Sequence, residues 1–174
     1  MTHPLSQFKY CPKCGSNHFV EKDFKAKMCE NCGFVYYFNV GSSTIALIIN
    51  EENELLVATR AHEPAMGTLD LPGGFVDMYE TGEEAVIREV KEETNLVVTD
   101  LRYLFSLTNN YLYSGFDVQT LDLVYLCKVK DTNNLKAEDD VAKLEFIRIP
   151  DLEPELFGLN SVREVIRKLQ KTTI

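Results

Sequence analysis

The sequence has 174 residues, 45% of them hydrophobic, and a net charge of −9. This length and composition fit a globular protein with one enzyme-sized core and a small second unit. The longest apolar run, residues 44–49 with its neighbours, is too short for a membrane span, and the N-terminus MTHPLSQFKY lacks the basic and apolar regions of a secretion signal. We therefore expect a cytoplasmic protein with no membrane partner.

Charge is divided unevenly along the chain. Residues 1–40 contain five lysines and three acidic residues, a net of +2, so the total of −9 leaves −11 for the remainder. Contacts to nucleic-acid phosphates need clustered lysine and arginine, which argues against a nucleic-acid partner for the acidic part. The acidic part of the chain would therefore have to bind a phosphate group through a metal ion.

Four cysteines near the N-terminus form two Cys-x-x-Cys pairs. Cys11 and Cys14 are separated by fourteen residues from Cys29 and Cys32, and a glycine follows each pair. Two thiolates on each of two tight turns predict a tetrahedral Zn²⁺ site, since the glycine lets the backbone fold around the ion. A disulfide fits poorly without a secretion signal, and a redox site needs only one such motif. Four cysteine ligands leave no open position, so the ion would be structural, as in a zinc ribbon.

The predicted elements after residue 40 alternate between strands and helices. They are strands at 44–49, 55–59 and 69–71, a helix at 81–94, strands at 96–107, 119–129 and 144–149, and a helix at 161–170. The turn at 50–53 predicts that the first two strands form a hairpin. Thr81 is placed to cap the first helix. Cys127, in an apolar strand pattern, is predicted to be a buried core residue.

The first predicted helix carries the most informative pattern. Glu89, Glu92 and Glu93 stand at positions i, i+3 and i+4, and about 100° per residue places them on roughly a third of the helix circumference. Residues 80–95 contain six acidic side chains against one arginine and one lysine, a set that would repel without cations. Oxygen ligands favour Mg²⁺ or Mn²⁺ over Zn²⁺. The alternative is an ordinary solvated acidic helix.

Glu93 is the unusual member of the three. It points within about 20° of Val86, at the centre of an apolar stripe that Ile87 and Val90 complete. A helix built only for packing would carry a hydrophobic residue there. We therefore expect Glu93 to have a partner on the core side of the helix.

Residues 74–96, GFVDMYETGEEAVIREVKEETNL, resemble the Nudix box, the signature of hydrolases that cleave nucleoside diphosphates linked to another moiety. Gly74, Glu80 and residues 88–93 match in type and spacing. Asn95 stands where the family has glycine, and asparagine tolerates the left-handed conformation that ends a helix. The resemblance implies an α/β (α+β) fold, a Nudix-type α/β/α sandwich with a mixed sheet over residues 41–174, preceded by the zinc ribbon of residues 1–40.

The resemblance also implies roles for individual residues. The carboxylates of Glu89, Glu92 and Glu93 would hold catalytic Mg²⁺ or Mn²⁺, and Arg88 and Glu80 would pair to keep these ligands in register. The general base would be Glu93 itself or an acid of a later loop. The candidates in that loop are Glu138, Asp139 and Asp140, and we take Asp139 to represent them. The candidates for substrate contact are Arg60, Phe75, Tyr111 and Tyr113.

The order of ribbon and Nudix box is similar to that of NADH pyrophosphatases and of ribbon-bearing enzymes that act on FAD or ADP-ribose. The Ser-Gln-Pro-Trp-Pro-Phe-Pro type stretch of the NADH enzymes is missing, since residues 105–111 read FSLTNNY and the chain has no tryptophan. We therefore expect Mg²⁺-dependent hydrolysis of a small nucleotide, with ADP-ribose, FAD and nicotinamide dinucleotides as leading substrates and NADH specificity unsupported. Whether the protein is a homodimer is left open.

Two other classes of function compete with this reading. A non-catalytic sensor would bind such a nucleotide and use the ribbon for a partner or RNA, but it has no chemical need for Arg88 together with all three carboxylates. An isomerase of allylic diphosphates would need an acid in the pocket, for which Cys127 in a strand is poorly suited.

Overall fold

The computed structural model describes residues 2–171, and the chain divides into two compact units with the boundary between Val40 and Gly41. The N-terminal unit is a three-stranded antiparallel sheet of β1 (Phe19–Asp23), β2 (Ala26–Cys29) and β3 (Val35–Tyr37), in that order. Its core consists of Cys11, Phe19 and Cys29, with Cys32 and Phe34 packed against them. So small a core buries little apolar surface, and this unit needs stabilisation beyond packing.

The C-terminal unit contains six strands and two α-helices among its described residues. They are β4 (Gly41–Ile48), β5 (Glu54–Arg60), β6 (Leu69–Asp70), α1 (Gly82–Thr94), β7 (Val98–Tyr113), β8 (Phe116–Val129), β9 (Val141–Arg148) and α2 (Asn160–Leu169). One sheet is mixed, in the order β4-β8-β7, because β4 runs parallel to β8 and β7 antiparallel to it. The other sheet is antiparallel, in the order β6-β5-β9. The predicted mixed α and β architecture is confirmed.

Helices cover both faces of the central strands. On β4, Ile45 and Leu47 belong to the core that contains α2, whereas Ala46 and Ile48 belong to the core that contains α1. A strand buried on both faces reads as a continuous apolar run, which explains why residues 44–49 lack alternation. Cys127 lies in the α1-side core, 2% exposed, as predicted.

The predicted hairpin of the strands at 44–49 and 55–59 is wrong. The two strands are consecutive, but they share only an isolated bridge between Ile49 and Leu55 and then enter different sheets. The reason is that both edges of β4 are occupied. One edge pairs with β8, and on the other edge Thr44 and Ala46 donate their N–H groups to the carbonyls of Gly74 and Pro72 at 2.8 Å.

Local chemistry defines both ends of α1. The Thr81 hydroxyl accepts a hydrogen bond from Glu84 N–H, and the Glu84 carboxylate accepts one from Thr81 N–H, so the predicted cap is part of a complete capping box. Asn95 ends the helix in the left-handed conformation with φ 57°. Ile87 differs from the prediction, because it is 41% exposed and lies outside the buried stripe. Among residues 2–171, no helix is long and apolar enough to cross a membrane.

Candidate functional site

The loop before α1 uses two glycines to bring the backbone against a strand and a carboxylate. Gly73 has φ +145°, and a Cβ there would lie 2.1 Å from the Thr44 carbonyl oxygen. A Cβ on Gly74 would lie 2.5 Å from Glu89 Oε1. The first residue of the matched segment is therefore glycine because the Glu89 carboxylate occupies the space of a side chain.

Glu93 is buried on the core side of α1, and it is 8% exposed. Its Oε2 accepts a hydrogen bond from Gly73 N–H at 2.9 Å. Burial raises its pKa to about 8, and the negative charges of Glu89, Asp70 and Asp140 act in the same direction, although the Gly73 hydrogen bond opposes them. Among the described residues Glu93 forms no ion pair, so a bound cation would relieve a real electrostatic cost.

Arg88 joins the loop to the acidic face of the helix. Its Nε and Nη2 donate to the two oxygens of Glu80 at 2.8 and 2.9 Å, and Nη2 also donates to the Phe75 carbonyl at 3.0 Å. Its Nη1 donates to Glu89 at 2.8 Å and to Glu92 at 2.9 Å. The guanidinium hydrogen bonds lower the pKa of Glu80 to about 2. The planar guanidinium of Arg88 therefore fixes the direction in which Glu89 and Glu92 point.

A cavity of about 530 Å³ lies beside these carboxylates. Its walls include the residues predicted as ligands or contacts: Arg60, Phe75, Arg88, Glu89, Glu92, Glu93, Tyr111, Tyr113 and Asp139. Glu80 does not line the cavity and reaches the site through Arg88. The volume is that of a small-molecule site, and the side-chain oxygens of Glu89, Glu92 and Glu93 form part of its wall.

Arg60 is held by the protein itself. Its Nη1 contacts Asp70 Oδ2 at 2.5 Å, and its Nε donates to the Pro64 carbonyl at 2.7 Å. Asp70 is buried, and burial raises its pKa, although the charge of Arg60 opposes that rise. Because Nε and Nη1 already donate to the protein, only the remaining N–H groups of the Arg60 guanidinium are left to donate to a ligand.

The three acids of the later loop face different surroundings. Glu138 forms an ion pair with Lys136 and is not part of the cavity wall. Asp139 lines the cavity in a left-handed conformation with φ 50°, and Asp140 lines it beside His62, 3.6 Å from Nε2. Asp139 and Asp140 are therefore the loop acids that a cavity ligand can reach.

Sequence reasoning missed a buried polar group on β8. Asp122 is 3% exposed and accepts hydrogen bonds from the hydroxyls of Ser43, Thr120 and Ser161, each at 2.5 Å. These residues come from β4, β8 and α2. The polar letters at 120 and 122 within an apolar strand were the available signal, but their partners lie up to 79 residues away.

The N-terminal unit brings its four cysteines together. The Sγ atoms of Cys11, Cys14, Cys29 and Cys32 all lie within 4.8 Å of one another, with 3.8 Å between Cys11 and Cys32 and 3.6 Å between Cys14 and Cys29. Tetrahedral Zn²⁺ with Zn–S bonds of about 2.3 Å would need S–S separations near 3.8 Å. Gly15 and Gly33 both have φ +73° and donate to the carbonyls of Cys11 and Cys29. The donor set fits such an ion.

Comparison with known proteins connects the C-terminal part of the chain to one family. The NUDIX domain model matches residues 40–169. The chain is 33% identical over 104 residues to "NAD-capped RNA hydrolase NudC" of Vibrio cholerae and 37% identical over 107 residues to "ADP-ribose pyrophosphatase" of Methanocaldococcus jannaschii. These matches span 60% of this chain, but only 38% of the first relative and 60% of the second. A solved NUDIX hydrolase of Nitrosomonas europaea has the same fold, with TM-score 0.72, 17% identity and coverage of 94% of this chain and 90% of that one.

Proposed function

The chain belongs to the Nudix family, and we propose that it hydrolyses the diphosphate linkage of a nucleoside diphosphate joined to a second group, with Mg²⁺ or Mn²⁺ as cofactor. The observation that carries the proposal is Glu93, a buried carboxylate beside Glu89 that pairs with no lysine, arginine or histidine among residues 2–171. ADP-ribose is the first substrate to test, because one relative is named for it. FAD and nicotinamide dinucleotides share the same linkage.

The ion would be held by Glu89, Glu92 and Glu93. When bound, it supplies charge neutralisation at the phosphate oxygens and makes a water molecule more acidic. Arg88 orients Glu89 and Glu92 by donating hydrogen bonds to both carboxylates, and Gly73 N–H orients Glu93 in the same way. Gly74 keeps a side chain out of the space at the Glu89 oxygens, so that a phosphate group can approach the helix closely.

The proton of the attacking water would pass to one of three carboxylates that reach the cavity. These are Glu93, Asp139 and Asp140. Glu93 has a raised pKa in the metal-free protein, which a bound cation would lower again. The pH–rate profiles of Asp139→Asn and Asp140→Asn distinguish the three, because only loss of the true base removes the acidic limb of the profile.

The four cysteines would bind Zn²⁺ as a structural ion of residues 1–40, which we propose as a zinc ribbon separate from the hydrolase domain of residues 41–174. The coordination shell would be closed, so this ion has no position for substrate.

The test is hydrolysis of a panel of ADP-ribose, FAD, NAD⁺ and NADH with added Mg²⁺, with the products separated by chromatography. We expect AMP from at least one member, no turnover without the divalent ion, and one ¹⁸O atom from labelled water in a phosphate product. A protein that binds these nucleotides but hydrolyses none with Mg²⁺ or Mn²⁺ would instead be the non-catalytic sensor.

A further inference from the structure

One buried side chain of the cavity carries an oxygen without a partner. Asn109 on β7 is 6% exposed and lines the cavity. Its Oδ1 is the one buried side-chain oxygen or nitrogen within residues 2–171 that has no hydrogen bond. Buried polar atoms are nearly always paired, because an unpaired one destabilises the fold. Such an exception indicates a functional or a strained position.

The hydroxyl group across the sheet from Asn109 is already used. Its cross-strand neighbour on β8 is Thr120, and the Thr120 hydroxyl donates its proton to Asp122. Ser43 and Ser161 donate to the same carboxylate. Each hydroxyl has a single proton, so Asp122 takes all three. Because no donor within residues 2–171 reaches the Asn109 oxygen, it is left for a donor that comes from outside the protein.

Asn109 is the most buried member of a row of side chains on one face of β7. Residues two apart on a strand share a face, so Tyr111 and Tyr113 continue the row. Exposure rises from 6% at Asn109 to 53% at Tyr113, and all three residues line the cavity that also contains Glu89 and Glu93. Two aromatic rings that lead to a polar end suit a nucleoside, whose base is flat and whose edges carry hydrogen-bond donors.

We propose that Asn109 Oδ1 accepts a hydrogen bond from the nucleoside of the substrate, donated by the amino group of the base or by a ribose hydroxyl. The identification of the ligand as a nucleotide rests on the proposed function. The terminal torsion of asparagine is broad, so the carboxamide can turn toward a ligand without changing its χ1 rotamer. A site built in this way rejects an analogue that lacks the donor, because the buried oxygen then stays unpaired.

The test compares Asn109→Leu, which has similar size but no acceptor, with Asn110→Leu as the matched control. Asn110 is the next residue of β7, exposed and directed to the opposite face. Calorimetry with Mg²⁺ would measure binding of AMP, of purine riboside 5′-monophosphate, which lacks the amino group, and of 2′-deoxy-AMP and 3′-deoxy-AMP. We expect Asn109→Leu to bind AMP about tenfold more weakly than the parent, and Asn110→Leu to bind it equally well.

One analogue should bind the parent about tenfold more weakly than AMP and should not be weakened further by Asn109→Leu. That analogue identifies the donor as the amino group or as one hydroxyl. Unchanged AMP binding by Asn109→Leu, or an equal loss for AMP and every analogue, would overturn the proposal. So would a parent that binds none of these nucleotides.

A second measurement separates ligand recognition from a structural role. In the ligand-free protein the Asn109 oxygen has no partner to lose, so Asn109→Leu should melt at the same temperature as the parent or higher. Lower melting would mean that the amide holds the fold and would overturn the proposal. Because binding is measured without turnover, a parent that binds AMP but hydrolyses no diphosphate would refute the proposed hydrolysis and leave the role of Asn109 standing.

Discussion

At the scale of single residues, Glu93 links stability, pH and metal binding. Burial raises its pKa from 4.5 to about 8 in the metal-free protein. A carboxylate whose pKa is higher in the folded state favours folding fully below the unfolded value, and this contribution is lost as pH rises through the folded value. The metal-free protein should therefore lose stability between about pH 4.5 and pH 8, and a cation bound to the ionised carboxylate would restore it.

We predict that Glu93→Gln removes this part of the pH dependence. Urea unfolding of Mg²⁺-free protein between pH 5 and 9 should show a loss of a few kcal/mol in the parent and a flatter curve in the variant. The kcat with Mg²⁺ should fall by about 10² or more, because the variant lacks a ligand charge.

Glu52→Gln, at an exposed turn, is the control for removal of a carboxylate and should match the parent in both assays. A Glu93→Gln protein with parental kcat would show that Glu93 has no part in the reaction.

Arg88 provides the second prediction at this scale. Lysine keeps the charge but has a single ammonium, which cannot bind Glu80, Glu89, Glu92 and the Phe75 carbonyl at once. Arg88→Lys should lower kcat/KM by about 10- to 100-fold through misplaced ligands, and raise the Mg²⁺ concentration needed for half-maximal rate. Arg102→Lys, at an exposed position of β7, should change neither value. A parental Mg²⁺ dependence in Arg88→Lys would contradict a positioning role.

At the scale of elements, the site depends on how closely the loop at Gly73 and Gly74 approaches β4 and α1. The two glycines meet different neighbours. A side chain at Gly73 would collide with the backbone of β4, whereas a side chain at Gly74 would collide with the carboxylate end of the Glu89 side chain. Moving the packed backbone of a strand costs a large free energy, whereas a carboxylate can rotate about its side-chain torsions at a small cost.

Alanine at each glycine should therefore give opposite results. Gly73→Ala should destabilise the protein by about 3 kcal/mol or more, measured by denaturant unfolding, because it adds a backbone clash to a φ of +145°. Gly74→Ala should keep its stability within about 1 kcal/mol and lose about tenfold or more in kcat, since Glu89 is displaced from its place beside Arg88. If Gly74→Ala is less stable than Gly73→Ala and keeps the parental kcat, then the space at Gly74 does not set the position of the Glu89 carboxylate.

At the scale of the whole molecule, the two units are stabilised by different means. The C-terminal unit has two extensive apolar cores on the faces of its central strands, whereas the N-terminal unit buries a few residues around its cysteines. If this unit is the proposed zinc ribbon, so small a core would need the ion in order to fold, and the free energy of metal binding would also be its free energy of folding.

We predict that Cys29→Ser unfolds the N-terminal unit and leaves the chemistry intact. Differential scanning calorimetry should show a lower melting temperature, and a colorimetric chelator should detect loss of Zn²⁺. The kcat per folded molecule with Mg²⁺ should stay within about twofold of the parent, since the proposed cysteine site is closed. Glu30→Gln, in the same turn, should retain both metal and stability. A Cys29→Ser protein that keeps its melting temperature but loses all turnover would place the thiolates in the reaction.

The features that the sequence determined by itself depend on short spacings. The i, i+3 and i+4 carboxylates, the Thr81 cap and the left-handed Asn95 follow from helix geometry over a few turns. The spacing of the two cysteine pairs likewise predicted that the four thiols converge. The predicted burial of Glu93 also came from this periodicity, because its direction is fixed by its distance along the helix from Val86.

Tertiary structure decided what depends on distant partners. Residues 44–49 had an equally good local reason to pair with 55–59, but the long-range contacts with β8 and with the glycine loop occupied both edges of β4. Likewise, Asn109 and Asp122 look in the sequence like polar interruptions of strands. The three hydroxyls that donate to Asp122 come from β4, β8 and α2, and none of them donates to Asn109 Oδ1, so only the folded chain shows which of the two has partners. Local periodicity specifies which side of an element a residue faces, whereas the identity of the neighbour on that side is fixed only when the chain folds.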